Sequence, residues 1–314
     1  MTLPLVSIII PAYNCEKFIQ QSLESILNQS YSNIEILVCD DASKDNTKKI
    51  LDEYKDLRIK RFHNEINLGY LKTCNKLFEL SKGEFIAFQD ADDYSDLKRI
   101  ELQIKFLIEN KEYALCGTNL TQIDESNNSL YCTNYKKEND EIVENIKSGN
   151  FSIIPNSFVF KREVYQKIGG YNEFFDRIGV EDYYWTWLIL QQFKMKNLSY
   201  AGYHYRFNPN SVTGNISNNP SKININYILN DLIKQQIETG TDDLQENRQD
   251  LLIKKLDELN KPFIDDPSYF YYYIAKRRFY EGHKKQSIQL IIKAIAKSPF
   301  KLNHYKDLLY FLRN

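Results

Sequence analysis

The chain is 314 residues long, carries a formal net charge of −1 and contains five cysteines, none of them in a Cys-x-x-Cys pair. An odd number of scattered cysteines argues against a disulfide framework or a zinc site and favours a reducing compartment. The N-terminus lacks the basic and apolar stretches of a signal peptide, and no apolar run approaches the roughly 18 residues of a membrane-spanning helix. We therefore expect a cytoplasmic protein.

Short apolar strands alternate with amphipathic helices in the first third of the chain, which is the pattern of a mostly parallel, doubly wound α/β sheet. The strands are predicted at residues 6–10, 34–39, 59–62 and 85–89. The helices between them are predicted at residues 16–29, 45–55 and 70–81, and Gly83 is expected to end the last of these. Ligands bind beyond the carboxyl ends of strands in open α/β sheets, so we expect functional groups there.

The sequence Asp90-Ala91-Asp92-Asp93 directly follows the apolar run of the fourth predicted strand. Three carboxylates at the end of a buried strand repel one another and lose hydration, so a positive group is expected beside them. Oxygen ligands suit Mg²⁺ or Mn²⁺, which keep coordination positions open for phosphate oxygens, so the turn indicates a metal–diphosphate site. The alternative is a solvated loop in which Asp93 or Ser95 caps the helix that begins near Leu97.

Two other predicted strands also end in polar residues that suit a nucleotide. The first ends in Pro11-Ala12-Tyr13-Asn14 and the second in Asp40-Asp41. An Asp at a strand end can accept hydrogen bonds from a base imide or a ribose hydroxyl, and a Tyr can stack on a base. The alternative is that Asp41 and Ser43 form an ordinary turn and cap the next helix. Together with the acidic turn, these strand ends predict one nucleotide-binding crevice.

Beyond the acidic turn the pattern becomes mixed. A helix is predicted at residues 97–110, strands at 113–120 and 157–160, and a polar surface loop at 124–140. Gly169-Gly170 then precedes a predicted helix at 182–192 and a strand at 200–207. An Asn-rich stretch, 208–224, indicates a mobile connection to helices at 225–239 and 244–259 and to three shorter helices after Pro267. We therefore predict one domain over residues 1–220 and a helical C-terminal region over residues 221–314.

An ordered set of motifs within residues 4–215 resembles the family-2 glycosyltransferases, which have the GT-A fold. The motifs are Val6–Asn14, Cys39–Thr47, Asn67-Leu68-Gly69, Gly83–Asp93, Gly169-Gly170-Tyr171 and Glu181-Asp182. Each motif alone is a weak signal, but their order along the chain is specific. The resemblance implies an α/β fold with a Rossmann-like, doubly wound mixed sheet and a helical C-terminal extension. It also implies an enzyme of the bacterial surface-polysaccharide type.

The resemblance implies a nucleotide-sugar site that uses a divalent cation, Mn²⁺ or Mg²⁺. The residues that it assigns to the nucleotide are Pro11, Tyr13, Asn14, Glu16, Asp41, Lys72, Asp90 and Ala91. Asp41 would face the imide of a uracil-type base, and Asp90 would meet ribose or sugar hydroxyls. Asp92 would ligate the metal that stabilises the leaving diphosphate, and Asp93 would support the turn.

Two departures from the family pattern affect the phosphate side of this site. Cys74 stands where many members carry Arg, which leaves Lys72 as the nearest cation for the diphosphate. Asn208 stands where members often have His, which leaves Arg206 as the expected phosphate contact from that segment, or as a residue that supports the site or its acceptor.

The resemblance also places a catalytic base at Asp182, beside Glu181 at the start of a predicted helix. This carboxylate would take the proton from an acceptor hydroxyl in a single displacement at the anomeric carbon, so an α-linked donor would give a β-linked product. The alternative is an Asp/Glu pair that is favoured by the helix dipole. Nearby, we favour Trp187 as a core residue. Tyr183 or Trp185 would either stack on an acceptor sugar or belong to the core.

The last 46 residues carry ten Lys or Arg and two acidic residues, a net charge of +8 that leaves −9 for the rest of the chain. Many Tyr and Phe residues lie among these cations. The pattern favours attachment to the anionic inner face of the cell membrane, with a packing or dimerisation module as an equal alternative. Nucleic acid is a poorer partner because the remainder of the chain is acidic.

We interpret the chain as an inverting, metal-dependent hexosyltransferase. It would move a sugar from a UDP-sugar to a hydroxyl of a glycan or lipid-linked acceptor in the synthesis of capsule, O-antigen or another surface polysaccharide. A nucleotidyltransferase that makes nucleotide sugars would need a Gly-rich, Arg-containing loop where Pro11–Asn14 stands. A catalytically silent glycan- or nucleotide-binding relative would not need Asp41, Asp90, Asp92 and Asp182 together.

Overall fold

The computed structural model describes residues 3–151, 153–207 and 219–314. The chain divides into two compact units, Met1–Asn215 and Ile216–Asn314. The first described helix of the second unit begins at Pro220. The domain boundary that we predict, between residues 220 and 221, therefore falls directly after the first residue of this helix. The predicted connection 208–224 lies mostly outside the described residues, and residues 220–224 belong to that helix.

The described part of the first unit contains one mixed sheet of nine strands. They are β1 Val6–Ala12, β2 Ile34–Asp40, β3 Ile59–His63, β4 Phe85–Phe88, β5 Tyr94–Ser95, β6 Tyr113–Ile123, β7 Ser129–Cys132, β8 Val159–Lys161 and β9 Lys194–Arg206. Their order is β3-β2-β1-β4-β8-β6-β9-β5, with β7 paired to β6. The first four positions are parallel neighbours, whereas β8 runs antiparallel to β4 and β6. The predicted α/β class with a doubly wound mixed sheet is confirmed.

Seven α-helices belong to the described part of the first unit and five to that of the second. The first seven are α1 Ile19–Leu27, α2 Thr47–Glu53, α3 Tyr70–Leu80, α4 Arg99–Glu109, α5 Asn139–Lys147, α6 Arg162–Ile168 and α7 Glu181–Leu190. The others are α8 Pro220–Thr239, α9 Gln249–Asp265, α10 Tyr269–Tyr280, α11 Lys284–Lys297 and α12 Leu302–Arg313. The predicted helical C-terminal extension is thus confirmed. Across the described ranges, no helix is both long enough and apolar enough to cross a membrane.

Apolar side chains place the central strands in the middle of the core. All seven residues of β1 and all seven of β2 are buried, as expected for parallel strands that are covered on both faces. Helix α1 buries Ile19, Leu23 and Ile26, which are spaced to lie on one face, in the same core. This packing holds the ends of β1 and β2, where the polar turns begin.

The sequence prediction departs from the structure mainly at polar elements. Residues 124–140, predicted as a loop, contain β7 and the first residues of α5. All four residues of β7 are exposed, so they lack the alternating apolar pattern that marks a half-buried strand. Gly83 does not end α3, which stops at Leu80. Instead, a Cβ on Gly83 would lie 2.6 Å from Leu5 O and Ser7 N, so glycine is required by the close approach of two backbones.

Candidate active site

The parallel strands β1, β2 and β4 bring three polar turns to one edge of the sheet. Ala12 pairs with Asp40 in the register of β1 and β2, and Ile9 pairs with Phe88 in that of β1 and β4. The backbone N–H of Asp41 donates to Ala12 O at 2.8 Å, which joins the first two turns directly. This register places the residues after all three strands, including the acidic turn, beyond the same edge.

The acidic turn holds three carboxylates close together. One oxygen from each of Asp90, Asp92 and Asp93 lies within 4.8 Å of the others. Burial, followed by the charge of Asp92, raises the pKa of Asp90 to about 7. Burial also raises the pKa of Asp92, and burial with the neighbouring charges raises the pKa of Asp93 well above its usual value. A cation would stabilise all three ionised groups, and their hard oxygen atoms suit Mg²⁺ or Mn²⁺. The donor set therefore fits a divalent cation.

The carboxylate of Asp90 is held by side chains from two other elements. The Tyr70 hydroxyl, at the start of α3, donates to Asp90 Oδ1 at 3.1 Å, and Asn156 Nδ2 donates to Asp90 Oδ2. The backbone N–H of Asp90 donates to the hydroxyl of Tyr203 in β9 at 3.0 Å. The sequence prediction missed Asn156. Its position before β8 was the available signal. Because β8 runs antiparallel to β4, the residues before β8 lie near the end of β4, where the acidic turn begins.

Arg206 lies behind the acidic turn, with only 2% of its surface exposed. Its Nε donates to Asp92 O at 2.8 Å, and its backbone N–H donates to Asp93 Oδ1 at 2.7 Å. Its other guanidinium N–H groups donate to four acceptors on α1 and the β6–β7 hairpin, which are Gln21 Oε1, Asp124 O, Glu125 O and Asn127 Oδ1. All five guanidinium donors therefore have acceptors within the protein. This arrangement gives no support to a contact with the donor phosphates, because the side chain holds the acidic turn from behind.

Asp41 is buried and organises the loop before α3. Its Oδ1 accepts hydrogen bonds from Asn64 Nδ2 at 2.7 Å and from Leu68 N at 2.8 Å. Its Oδ2 accepts one from Gly69 N at 2.8 Å, and Gly69 adopts a φ of +91°, which favours glycine. These bonds join Asp41 to residues 23 to 28 positions further along the chain, so they differ from the alternative in which Asp41 and Ser43 form a local turn that caps α2. Within the described residues, Gly69 N is the donor to Oδ2, which leaves this oxygen one acceptor position for a ligand.

The turn after β1 is tied to the start of α2. Asn14 and Glu16 exchange hydrogen bonds of 2.7 to 3.0 Å with residues 43–46. Pro11 is buried within β1, and Ala91 is buried within the acidic turn. Tyr13 is 44% exposed, so its ring is open to a ligand. Of the nucleotide residues predicted at this strand end, Tyr13 has ring surface for stacking, while Asn14 and Glu16 bind the turn before α2.

Two cations join residues 67–72 to residues 173–177. Lys72 Nζ lies 3.2 Å from a carboxylate oxygen of Asp176 and 3.7 Å from one of Glu173. It is thus paired within the protein, and its role beside the diphosphate stays a prediction. Arg177, which the sequence prediction missed, donates from Nη2 to Asn67 O at 2.8 Å. Nothing in the sequence distinguishes Arg177 from other surface cations, because its place depends on this tertiary contact.

Gly169-Gly170-Tyr171 attaches to α3 through Asn75. Asn75 Nδ2 donates to Tyr171 O at 2.9 Å, and Tyr171 N donates to Asn75 Oδ1 at 2.7 Å. A Cβ on Gly170 would overlap the side-chain oxygen of Asn75, which explains why residue 170 has no side chain. These contacts fix the segment that leads into α7 and Asp182.

Asp182 is the second residue of α7 and is partly exposed. Helix α7 follows Val180, whose φ of +65° is strained for a β-branched residue. The Asp182 Oδ1 accepts the backbone N–H of Tyr183 at 2.8 Å, and burial raises its pKa to about 6. The charge of Asp182 contributes to the raised pKa of Asp90, which means that the two carboxylates interact electrostatically. Glu181, beside Asp182, is also partly exposed in the first turn of the helix.

The aromatic residues beside Asp182 have different surroundings. Trp185 is 1% exposed, stacks on Phe78 with ring centroids 5.9 Å apart, and donates from Nε1 to Gly169 O at 2.9 Å. It is a core residue, which rules out its alternative role as a platform for an acceptor sugar. Trp187 is equally buried, as we favoured. Tyr183 is partly exposed and packs against Phe151 at 4.7 Å, so it retains ring surface for a ligand.

The sequence matches known glycosyltransferases over most of the first unit. The model of glycosyl transferase family 2 matches residues 7–169. WfaP of Escherichia coli, a UDP-Glc:alpha-D-GlcNAc-diphosphoundecaprenol beta-1,3-glucosyltransferase, is 33% identical over 222 residues, which are 67% of this chain and 80% of WfaP. WfgD of Escherichia coli, which carries the same activity name, is 44% identical over 106 residues, which are 34% of this chain and 42% of WfgD. EpsE of Bacillus subtilis (strain 168) is 41% identical over 125 residues, and this match too spans less than half of the relative, 45%.

The fold is also similar to that of solved structures. S. aureus TarS 1–349 in complex with UDP-GlcNAc superposes with a TM-score of 0.61 over 82% of this chain and 73% of that one, at 21% identity. At such low identity the likeness concerns the fold alone, and it supports the GT-A architecture. The family match covers just over half of the chain, and one relative above 30% identity is matched over most of its length. The chain therefore belongs to glycosyl transferase family 2.

Proposed function

We propose that this chain is an inverting glycosyltransferase that moves a sugar from a nucleoside-diphosphate donor to an acceptor hydroxyl. One observation carries the proposal: three carboxylates converge within 4.8 Å in the acidic turn beyond the edge of the sheet. Asp182, partly exposed at the start of α7, supplies a further carboxylate, and burial raises its pKa to about 6. A general base works best when its pKa lies close to the working pH. A cluster of carboxylates beside it suits the cation that would accompany a diphosphate.

A UDP-sugar is the proposed donor. WfaP and WfgD are named as UDP-Glc-dependent enzymes, and TarS has been solved with UDP-GlcNAc. In this chain the N3–H of a uracil could donate to the remaining acceptor position on Asp41 Oδ2, and the exposed ring of Tyr13 could stack on the base. The diphosphoundecaprenol acceptor in the names of both relatives supports a lipid-linked or glycan acceptor in surface-polysaccharide synthesis, at the inner face of the cell membrane.

A divalent cation, Mn²⁺ or Mg²⁺, would be held by Asp92 with help from the neighbouring carboxylates. When bound, it would offset the negative charge that develops on the leaving diphosphate. The protein contributes a turn that is already in place: Arg206 holds Asp92 O, and Tyr70 and Asn156 hold the Asp90 carboxylate. Asp90 would then accept hydrogen bonds from ribose or sugar hydroxyls. Asp93 would support the turn by accepting the backbone N–H of Arg206.

Asp182 would act as the general base. As the acceptor oxygen forms its bond to the anomeric carbon, its proton would pass to the Asp182 carboxylate, and the bond between that carbon and the diphosphate oxygen would break on the opposite face. One displacement inverts the configuration, so an α-linked donor would give a β-linked product. Thr186 donates its hydroxyl hydrogen to Asp182 O at 2.7 Å, which helps to hold the first turn of α7. Tyr183 and Glu181 would contact or orient the acceptor.

Metal-dependent binding of UDP tests the donor site before any acceptor is known. We expect UDP to bind the purified protein measurably in isothermal titration calorimetry with Mn²⁺ present, and at least tenfold more weakly after chelation. Asp92→Asn should remove most of this metal effect, because the neutral amide does not attract the cation as the carboxylate of Asp92 would.

Asp96→Asn is the matched control for that experiment, because Asp96 is a carboxylate of the same chain segment that lies outside the cluster of three. It should leave the metal effect intact. Failure of the wild-type protein to bind UDP or any other nucleoside diphosphate with either metal would contradict the proposed donor site. Unchanged metal dependence in Asp92→Asn would contradict the assignment of the ligand.

A further inference from the structure

We propose that the turn between α11 and α12, residues 298–302, inserts into the surface of an anionic lipid bilayer. The turn carries two neighbouring apolar side chains, Phe300 and Leu302, which are 95% and 72% exposed. Single exposed apolar residues are ordinary on protein surfaces, but two large apolar side chains at the tip of one turn form a small exposed apolar patch. We call Phe300 and Leu302 the apolar tip.

The backbone that presents the apolar tip is held by side chains around it. The Tyr305 hydroxyl donates to Pro299 O at 2.9 Å, and Ser298 Oγ donates to Asp266 Oδ1 at 3.4 Å. Asp266 also pairs with Lys301, and the pKa of Asp266 is lowered to about 2 by this lysine and by hydrogen bonds from Ser268, although burial acts in the opposite direction. The turn is therefore ordered with its apolar side chains outside, rather than folded onto the helices.

Basic residues surround the apolar tip. Residues 293–306 contain four lysines and no acidic residue. One of these lysines, Lys301, pairs with Asp266, while none of the ion pairs among the described residues includes Lys293, Lys297 or Lys306. These three lysines are exposed on the last turns of α11 and the first two turns of α12, on either side of the tip in the sequence. Their charge is complementary to a surface of anionic head groups.

A lipid surface fits this combination better than other anionic partners do. Apolar side chains with flanking cations are the composition of segments that lie at a membrane interface, where the side chains enter the acyl boundary and the cations meet phosphates. A nucleic acid would use the cations without the apolar tip. The inference does not depend on the proposed transfer reaction, because it concerns a surface of the second unit and a partner that can be tested without a sugar donor.

Vesicle binding by the full chain tests the inference. We expect co-sedimentation with vesicles of phosphatidylcholine that contain 30% phosphatidylglycerol, weakening as salt is raised, and much weaker binding to vesicles of phosphatidylcholine alone. Phe300→Ser with Leu302→Ser should weaken binding by more than about tenfold, because the tip no longer gains from leaving water. Lys297→Ala and Lys306→Ala should each weaken it by about fivefold.

Tyr280→Ser is the matched control. Tyr280 is 74% exposed at the end of α10, which lies beside the start of α11 and thus at the other end of that helix from the tip. It should leave vesicle binding unchanged. Equal binding by the tip variant and the wild-type protein would overturn the inference, as would an equal loss in Tyr280→Ser or no binding by the wild-type protein. A tip variant that changes the mass of the protein in light scattering would overturn it in favour of self-association.

Insertion itself can be followed with a tryptophan in the tip. The two native tryptophans, Trp185 and Trp187, are each 1% exposed and contribute a constant background. In Phe300→Trp we expect a blue shift of fluorescence on adding anionic vesicles and quenching by lipids brominated on the acyl chain. Vesicle binding without either change would overturn insertion of the tip.

Discussion

The guanidinium of Arg206 donates all five of its N–H groups to acceptors that lie far apart in the sequence, from Gln21 to Asn127. A buried cation is tolerated when its donors are satisfied, and here the acceptors are backbone carbonyl and side-chain amide oxygens. Its ring contact with Phe18, 4.4 Å from the guanidinium carbon to the ring centroid, adds a further attraction. Arg206 therefore couples the acidic turn to α1 and to the β6–β7 hairpin.

Arg206→Lys should destabilise the protein although it keeps the charge. An ammonium has three donors, so at least two of the five acceptors would lose their partner, at about 1–3 kcal/mol for each buried group. We expect the melting temperature of the first unit to fall by at least about 4 °C in thermal unfolding. Lys105→Ala, which changes a 66% exposed side chain, is the control and should change it little. An unchanged melting temperature in Arg206→Lys would show that these bonds contribute nothing net.

The pKa of Asp182 predicts how the transfer rate depends on pH. Burial raises this pKa to about 6, so the carboxylate becomes protonated as the pH falls through 6 and can then no longer accept a proton. We expect kcat/KM, measured by UDP release, to be constant above about pH 7 and to fall about tenfold for each pH unit below about 5.5. A profile that stays flat from pH 8 to pH 5 would exclude a base with this pKa.

Residues of the site differ in how far the sequence could predict them. Asp90, Asp92 and Asp41 stand directly after apolar strands, so their place follows from the strand pattern. Arg206 also stands at a strand end, yet its hydrogen bonds could not be predicted, because its acceptors come from segments that meet only in the folded chain. Asn156 was missed for the same reason: its bond to Asp90 depends on β8 pairing with β4 in the antiparallel direction.

At the scale of elements, the contact between α3 and the segment before α7 sets the position of Asp182. Gly170 allows Asn75 to approach and to make two hydrogen bonds with Tyr171. Val180, just before α7, is held at a positive φ that a β-branched residue adopts only at a cost. The first turn of α7 is thus placed by contacts made before the helix begins.

A double-mutant cycle between residues 170 and 75 tests this contact. Gly170→Ala should cost about 1–3 kcal/mol of stability, because the new methyl group overlaps the Asn75 side chain. Asn75→Ala should cost a similar amount through its lost hydrogen bonds. The double variant should be no less stable than Asn75→Ala alone, since the overlap has gone. Strictly additive losses in denaturant unfolding would contradict a direct contact.

The elements that the sequence predicted best are those with buried apolar patterns. Strands β1 and β2 and helices α1 and α3 lie within a few residues of their predicted ranges. The β6–β7 hairpin escaped prediction because β7 is exposed along its whole length, and β5 is a strand of only two residues. Helices α5 and α6, of nine and seven residues, are short, and neither was predicted. Short or exposed elements are specified by their neighbours more than by their own pattern.

At the scale of the whole molecule, charge divides the chain as the sequence indicates. The last 46 residues carry a net charge of +8 and form helices α10 to α12, while the remainder carries −9 and includes the acidic turn. The fold class, the helical extension and the membership of glycosyl transferase family 2 are confirmed. The ordered motifs could predict them because each motif lies at a strand end or a helix start that the fold brings together.

Release of UDP from an α-linked UDP-sugar by Asp182→Asn, measured beside its binding of UDP, tests the central claim most directly. The amide cannot take the acceptor proton, while the acidic turn and Asp41 remain unchanged. We predict that the variant binds UDP with Mn²⁺ within about threefold of the wild-type affinity and that acceptor-dependent release falls at least about a hundredfold, the lower range for a general base. UDP release at the wild-type rate, with binding intact, would contradict the assignment of Asp182 as the base.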